Sequence, residues 1–356
     1  MTDAPFNGQK ADAFAEQVVG ILNGGALALM VSIGHRTGLF DTMASLPPAS
    51  CGRIAEAGAL SERYVREWLG AMVTGGIVEH DPEAATYRLP PEHAAFLTRT
   101  ATPNNLAAFA QYVAELGSVE DQIVDCFKHG GGVPYEAYSR FHEVMAEDSG
   151  QTVVAALTDH ILPLVPDLIT RLEAGIDVLD VGCGSGRALN LMARSFPNSR
   201  FTGYDLSEEA VDRATEEAGD LTNIRFEVRD VTTLESPVQY DLITAFDAIH
   251  DQARPDRVLK GIARALKDGG TFLMQDIKAH SHVHGNRDHP IGPFLYTISC
   301  MHCMTVSLAR KGGMGLGAMW GRELAEQMLA DAGFGRVTVN ELAHDIQNDF
   351  YVATKG

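Results

Sequence analysis

The chain has 356 residues, 45% of them apolar, which is long enough for one large domain or two modest ones and well outside the composition of a disordered protein. Its 28 basic residues stand against 47 acidic ones, a net charge of −19 that argues against a partner recognised by phosphate neutralisation, such as DNA or RNA. Five cysteines, odd in number and mostly far apart (Cys51, Cys126, Cys183, Cys300, Cys303), fit free thiols in a reducing compartment. Met1 to Lys10 lacks the basic-then-apolar order of a signal peptide. The longest apolar run, Ala26 to Ile33, falls far short of the roughly 20 residues that span a bilayer. The expectation is a cytoplasmic protein with no membrane or nucleic-acid partner.

Residues 1–104 carry short helical patterns. Ala26 to Ile33 is nearly all apolar and suits a helix buried on most sides, as at a subunit interface. Ser50 and Ser61 precede short helical runs and are plausible N-caps. Ile77 to Glu79, the turn Asp81-Pro82-Glu83 and Thr86 to Leu89 read as a hairpin. Helices followed by a hairpin are the order of a winged helix. Its expected groove-facing segment, Ser61 to Leu69, offers Arg63 and Arg66 against Glu62 and Glu67. The wing sets Glu79, Asp81 and Glu83 against Arg88, so dimerisation fits this domain better than DNA.

Residues 105–170 read as a connecting helical layer, interrupted at Gly130-Gly131-Gly132 and Pro134. Phe141 and Met145 are one helical turn apart there and face inward as candidate pocket residues.

From residue 171 onward apolar strands alternate with amphipathic helices. The strands are Ile176–Val181, Arg200–Tyr204, Ile224–Arg229, Tyr240–Phe246, Thr271–Ile277, Val337–Leu342 and Phe350–Thr354. This alternation predicts an α/β, mostly parallel, doubly wound sheet with its ligand at the carboxyl ends of the strands. Directly after the first strand comes Asp180-Val181-Gly182-Cys183-Gly184-Ser185-Gly186. Its glycines permit a sharp turn and a close backbone approach to a ligand. Arg187 breaks a G-x-G-x-x-G dinucleotide fingerprint, no P-loop lysine follows, and Asp180 disfavours a pyrophosphate. A zwitterionic amino-acid moiety suits the loop better. Asp205 ends the second strand, where a carboxylate accepts both ribose hydroxyls, and Asp230 ends the third, placed to accept from an adenine amino group. A helix N-cap is the competing reading for either acid.

Val178 to Gly186, Asp205, Asp230 and Tyr240-Asp241-Leu242-Ile243 together resemble the ordered motifs of class I S-adenosylmethionine-dependent methyltransferases. With the winged-helix-like front, the chain is similar to dimeric caffeic acid and hydroxyindole O-methyltransferases, and closer to a bacterial branch with mostly unassigned substrates. The resemblance implies a sheet of order 3-2-1-4-5-7-6 with strand 7 antiparallel, and a homodimer formed through the N-terminal domain. It implies S-adenosylmethionine as cofactor, S-adenosylhomocysteine as product and a small-molecule methyl acceptor. The implied cofactor site is Asp180, Gly182, Cys183, Gly184, Gly186, Asp205, Leu206, Asp230, Val231 and Phe246. The pair His250-Asp251 resembles the catalytic His-Asp of the plant enzymes, which makes His250 the candidate general base for an oxygen nucleophile, with a nitrogen or sulfur acceptor methylated by proximity alone as the alternative. Gln252 stands where those enzymes carry tryptophan, and no downstream glutamate matches the one that braces their base.

Lys278 to Gly321 is long for a connection, and such lengths often form a lid. It holds several histidines, then Cys300-Met301-His302-Cys303, which is not a standard metal spacing, so no metal is expected. Tyr296, His302 and Trp320 are read as lining the acceptor pocket, and the His280 to His289 run as a solvated loop.

Overall fold

The computed structural model describes residues 6–234 and 240–355; Met1 to Pro5, part of the segment read for a leader, lie outside them. The chain divides into two compact units, Met1–Glu115 and Leu116–Gly356.

In the first unit, helices Leu39–Ser45, Cys51–Ala57 and Glu62–Thr74 precede a hairpin of β1 (Glu79–Asp81) and β2 (Thr86–Arg88). Ser50 caps its helix by accepting from the Arg53 N–H, whereas Ser61 holds the N-cap position without a side-chain cap bond. Phe40, Ile54, Trp68, Leu69 and Met72 form the core. The cations that raised a DNA question are neutralised locally: Arg63 pairs with Glu67, Arg66 with Glu62, and Arg88 with Glu79.

The apolar stretch belongs to a helix of 30 residues, Gly8–Thr37, of which only Ser32, Gly34 and His35 are buried within the chain. By length and composition this helix is apolar enough to cross a membrane, so the run is longer than Ala26 to Ile33 suggested. Phe14, Val18, Val19, Ile21, Leu22, Leu29 and Ile33 are exposed on it. Within the expected run, Leu27, Met30 and Val31 pack partly against the core of this unit, so the helix is buried on one side and not on most sides.

The second unit is a seven-stranded sheet of β3 (Asp177–Val181), β4 (Arg200–Asp205), β5 (Ile224–Val228), β6 (Tyr240–Phe246), β7 (Leu266–Ile277), β8 (Phe334–Asn340) and β9 (Asn348–Lys355), ordered β5-β4-β3-β6-β7-β9-β8. Counted from β3, that is the expected 3-2-1-4-5-7-6. β9 runs antiparallel to both its neighbours, and the other pairings are parallel. Alternate residues feed opposite layers: Leu179, Ile243, Phe272 and Met274 join one core, and Val178, Leu242 and Leu273 the other. Near-continuous apolar strands are what a sheet covered on both faces requires. β7 begins at Leu266 instead of Thr271 because Leu266 pairs with Tyr240 across a register shift that the hydrophobic pattern does not show.

The segment expected as a lid is helical over Gly292–Ile298, Ser299–Cys303 and Met304–Ala309. It packs Leu295 and Cys303 into a small core with Ile277, Ala318 and Met319. The histidine run before it is anchored: His280 Nδ1 lies 2.9 Å from Glu323 Oε1, and His289 Nε2 lies 3.0 Å from the Lys278 carbonyl.

Candidate active site

The carboxyl ends of β3, β4, β5 and β6 open on one cavity of about 990 Å³, which Gly182, Asp205, Asp230 and Asp247 line in turn. Gly182, Gly184 and Gly186 adopt φ of 72°, 52° and 69°, the left-handed region that only glycine enters cheaply. A Cβ on Gly182 would meet the Ala248 Cβ at 2.5 Å, and one on Gly186 would meet Phe226 at 2.6 Å. Gly184 has nothing within 4 Å of a Cβ. Gly182, Cys183 and Gly184 line the cavity, while Gly186 shapes the turn into helix Arg187–Ser195 and is off the wall.

Asp205 Oδ2 accepts the Gly184 N–H at 2.8 Å and its Oδ1 accepts the Ser207 N–H at 2.9 Å. Ser207, not Asp205, caps the following helix, by accepting from Ala210. Asp230 does cap, accepting at Oδ1 from the Thr232 N–H and hydroxyl. A carboxylate offers about four lone-pair sites, so both acids retain acceptor capacity beside the cavity. Leu206, Val231 and Phe246 lie on the same wall. Asp180 is buried and accepts from the Thr244 hydroxyl at 2.7 Å; burial pushes its carboxyl up to about 7.

Helix Phe141–Thr152 supplies the facing wall through Phe141 and Met145, joined by Tyr135, Tyr138 and His142. Tyr135 stacks on His142 with centroids 4.6 Å apart. His302 stands behind this wall, fully buried, its ring stacked on Phe141 at 3.4 Å and 7°. Neither of its nitrogens has a hydrogen-bond partner among the described residues, and burial lowers its pKa to about 4. Tyr296 and Trp320 are placed elsewhere: the Tyr296 hydroxyl accepts from Asn286 at 3.0 Å, and Trp320 Nε1 donates to Asp276 Oδ1 at 2.9 Å. Neither they nor His302 belong to the cavity wall.

His250 is buried just beyond β6, held between two carboxylates. Its Nδ1 donates to Asp276 Oδ1 at 2.7 Å, and its Nε2 lies 3.1 Å from Asp251 Oδ1. Burial opposes the charged imidazole, but Asp276 and then Asp251 outweigh it and raise the pKa well above the ordinary value. Burial alone would raise the Asp251 carboxyl; the His250 charge and hydrogen bond hold it below its usual range. Of this pair only Asp251 lines the cavity, so the structure covers His250 with its neighbour. Cys303 completes a cluster in which one ligand-type atom each of His250, Asp251 and Cys303 lie within 4.8 Å of one another.

Sequence reasoning missed Asp276, although it ends β7 and the strand-end rule that found Asp205 and Asp230 extends to it. It fills the bracing place for which no glutamate was matched. Tyr135, Tyr138 and Arg229 were also missed; Arg229 donates to the Tyr204 hydroxyl at 2.9 Å and lies 4.8 Å over that ring. No local pattern marks the two tyrosines, because chain folding alone brings residues 135–142 to the strand ends, whereas Arg229, next to Asp230, lay within reach of the strand-end rule.

Residues 25–99 match a family described as the Rv2258c-like winged HTH domain, and residues 172–312 one described as a methyltransferase domain. The 27-O-demethylrifamycin SV methyltransferase of Amycolatopsis mediterranei is 32% identical over 171 residues, 46% of this chain and 58% of that protein. The (S)-coclaurine N-methyltransferase of Papaver somniferum is 30% identical over 109 residues, 30% of this chain and 31% of that protein. The chain thus spans less than two thirds of the length of these relatives. A solved structure of human N-acetylserotonin methyltransferase in complex with S-adenosylmethionine superposes with a TM-score of 0.70 at 17% identity, covering 100% of both chains. At that identity the likeness establishes the fold.

Proposed function

From a chain that carries a winged-helix domain and a methyltransferase domain of the class I S-adenosylmethionine-dependent fold, we propose an enzyme that methylates an oxygen of a small-molecule acceptor. The observation that carries this reading is the run of Gly182, Gly184, Asp205 and Asp230 at three successive strand ends on one cavity. When bound, S-adenosylmethionine supplies an electrophilic methyl group on sulfur, and S-adenosylhomocysteine leaves.

The residues fit that cofactor. Gly182 and Gly184 let the backbone approach the amino-acid moiety, with open space over Gly184. Asp205 takes the ribose hydroxyls, Asp230 and Val231 the adenine edge, and Asp180, Cys183, Leu206 and Phe246 the remaining walls, while off-wall Gly186 sets the shape of the loop. Phe141, Met145 and Tyr135 hold the acceptor against the cofactor, which aligns the reacting atoms and excludes water. The acceptor proton leaves toward the Asp251–His250 pair. Asp251 is the member on the cavity wall and touches the acceptor; His250, fixed by Asp276, orients that carboxylate through Nε2. His250 becomes the base itself only where Asp251 turns away from it.

The exposed apolar face of helix Gly8–Thr37 supports a homodimer through the first unit, with a second copy covering it. The paired arginines of the winged helix support a role apart from nucleic acid, and the free cysteines a cytoplasmic setting.

The test combines calorimetric titration of S-adenosylmethionine with transfer of its labelled methyl group to a panel of phenols, alcohols and amines. Asp251→Asn should bind the cofactor within a few-fold of wild type and turn over about 10²-fold more slowly. Absence of cofactor binding by wild type overturns the function. An unchanged rate in Asp251→Asn overturns its role, and label found only on amines reassigns the acceptor atom.

A further inference from the structure

We infer that His250, Asp251 and Cys303 form a buried three-ligand site for a borderline divalent cation of the zinc type. Tertiary folding assembles it: the two parts, 250–251 and 303, come from different elements and meet behind the aromatic wall. The spacing within Cys300 to Cys303 argued against a metal only for ligands drawn from that segment.

Zinc bonds of about 2.0–2.1 Å to nitrogen or oxygen and about 2.3 Å to sulfur place ligand atoms roughly 3.3–3.6 Å apart. His250 Nε2 and Asp251 Oδ1 are 3.1 Å apart, and with Cys303 the three ligand-type atoms lie within 4.8 Å of one another. His250 already has the outer carboxylate that metal-bound histidines use: Nδ1 donates to Asp276, itself held by the Trp320 indole N–H. One thiolate, one imidazole and one carboxylate select zinc or cobalt over magnesium or calcium, with the fourth position left to water. Asp251, on the cavity wall, is the entry path.

Binding displaces the Cys303 S–H proton and any Nε2 proton of His250 to solvent, with no change of oxidation state. It also occupies the Asp251 and His250 atoms that the proposed methyl transfer needs, so the cation switches the enzyme off. This last consequence rests on the functional reading above; the site itself does not.

Cobalt(II) added to the chelator-treated protein should bind one ion per chain and give a near-ultraviolet thiolate-to-cobalt charge-transfer band. Cys303→Ser should lose the band and bind at least tenfold more weakly, while Cys126→Ser keeps it; thermal melts confirm that both variants fold. Asp276→Asn should weaken binding 10- to 100-fold with the band intact. Zinc should displace cobalt and slow methyl transfer at least tenfold, reversibly on chelation. No band, or a band unchanged in Cys303→Ser, overturns the site; equal rates with and without zinc overturn the switch. A band in a protein that fails to bind S-adenosylmethionine supports the site and overturns the enzyme reading.

Discussion

Alanine at Gly184 and at Gly186 separates two costs that the glycine loop combines. Both positions have positive φ, 52° and 69°, so each substitution puts a Cβ into the left-handed region at about 1–2 kcal/mol. At Gly184 nothing lies within 4 Å of the new methyl group, and the cost stops there. At Gly186 the methyl group falls 2.6 Å from the Phe226 ring and 2.7 Å from the Ala214 Cβ, about 1 Å inside ordinary carbon contact. Phe226 and Ala214 sit on β5 and helix Glu208–Ala218, elements that cannot both retreat without disturbing the sheet, and overpacking of this kind adds about 1–3 kcal/mol. Gly184→Ala should therefore lower unfolding free energy by about 1–2 kcal/mol, and Gly186→Ala by about 2–5 kcal/mol. Urea denaturation read by far-ultraviolet circular dichroism measures both. Gly184 lines the cavity, so its variant should also weaken S-adenosylmethionine binding despite the smaller loss of stability. Equal destabilisation of the two variants, or a Gly184→Ala protein that binds the cofactor as wild type does, would refute this division of labour.

Two further outcomes are expected. The Asp180 carboxyl, raised to about 7 by burial, holds its proton in the folded state at pH values where the unfolded chain has lost it. A raised acid favours folding below the unfolded pKa of about 4, and that contribution is lost as pH climbs toward 7. Asp180→Asn keeps an acceptor for the Thr244 hydroxyl and has no proton to lose. Its stability relative to wild type should climb between pH 4 and 7 by up to about 4 kcal/mol; a pH-independent difference in urea midpoints contradicts the assignment. Val18→Asp with Leu22→Asp places two charges on the exposed face of helix Gly8–Thr37. Sedimentation velocity should then show a monomer where wild type is a dimer, and a monomeric wild type removes the proposed interface.

What the sequence determined is whatever depends on local pattern. Alternating strands and amphipathic helices named the sheet, because a parallel sheet covered on both faces demands apolar runs of strand length. The glycine loop, Asp205 and Asp230 were legible because each stands where a strand ends, and a parallel sheet gathers those ends on one edge. The run Ala26 to Ile33 was legible as helix, but neither its extension back to Gly8 nor the exposed face that carries Phe14 to Leu22 was. Only the tertiary structure decided which side chains face the cavity. It set Asp251 over His250, took Tyr296 and Trp320 away from the wall, and brought Asp276 and Cys303 to His250 from 26 and 53 residues downstream. Burial and side-chain direction at such distances are set by how layers pack, and no periodicity along the chain encodes them.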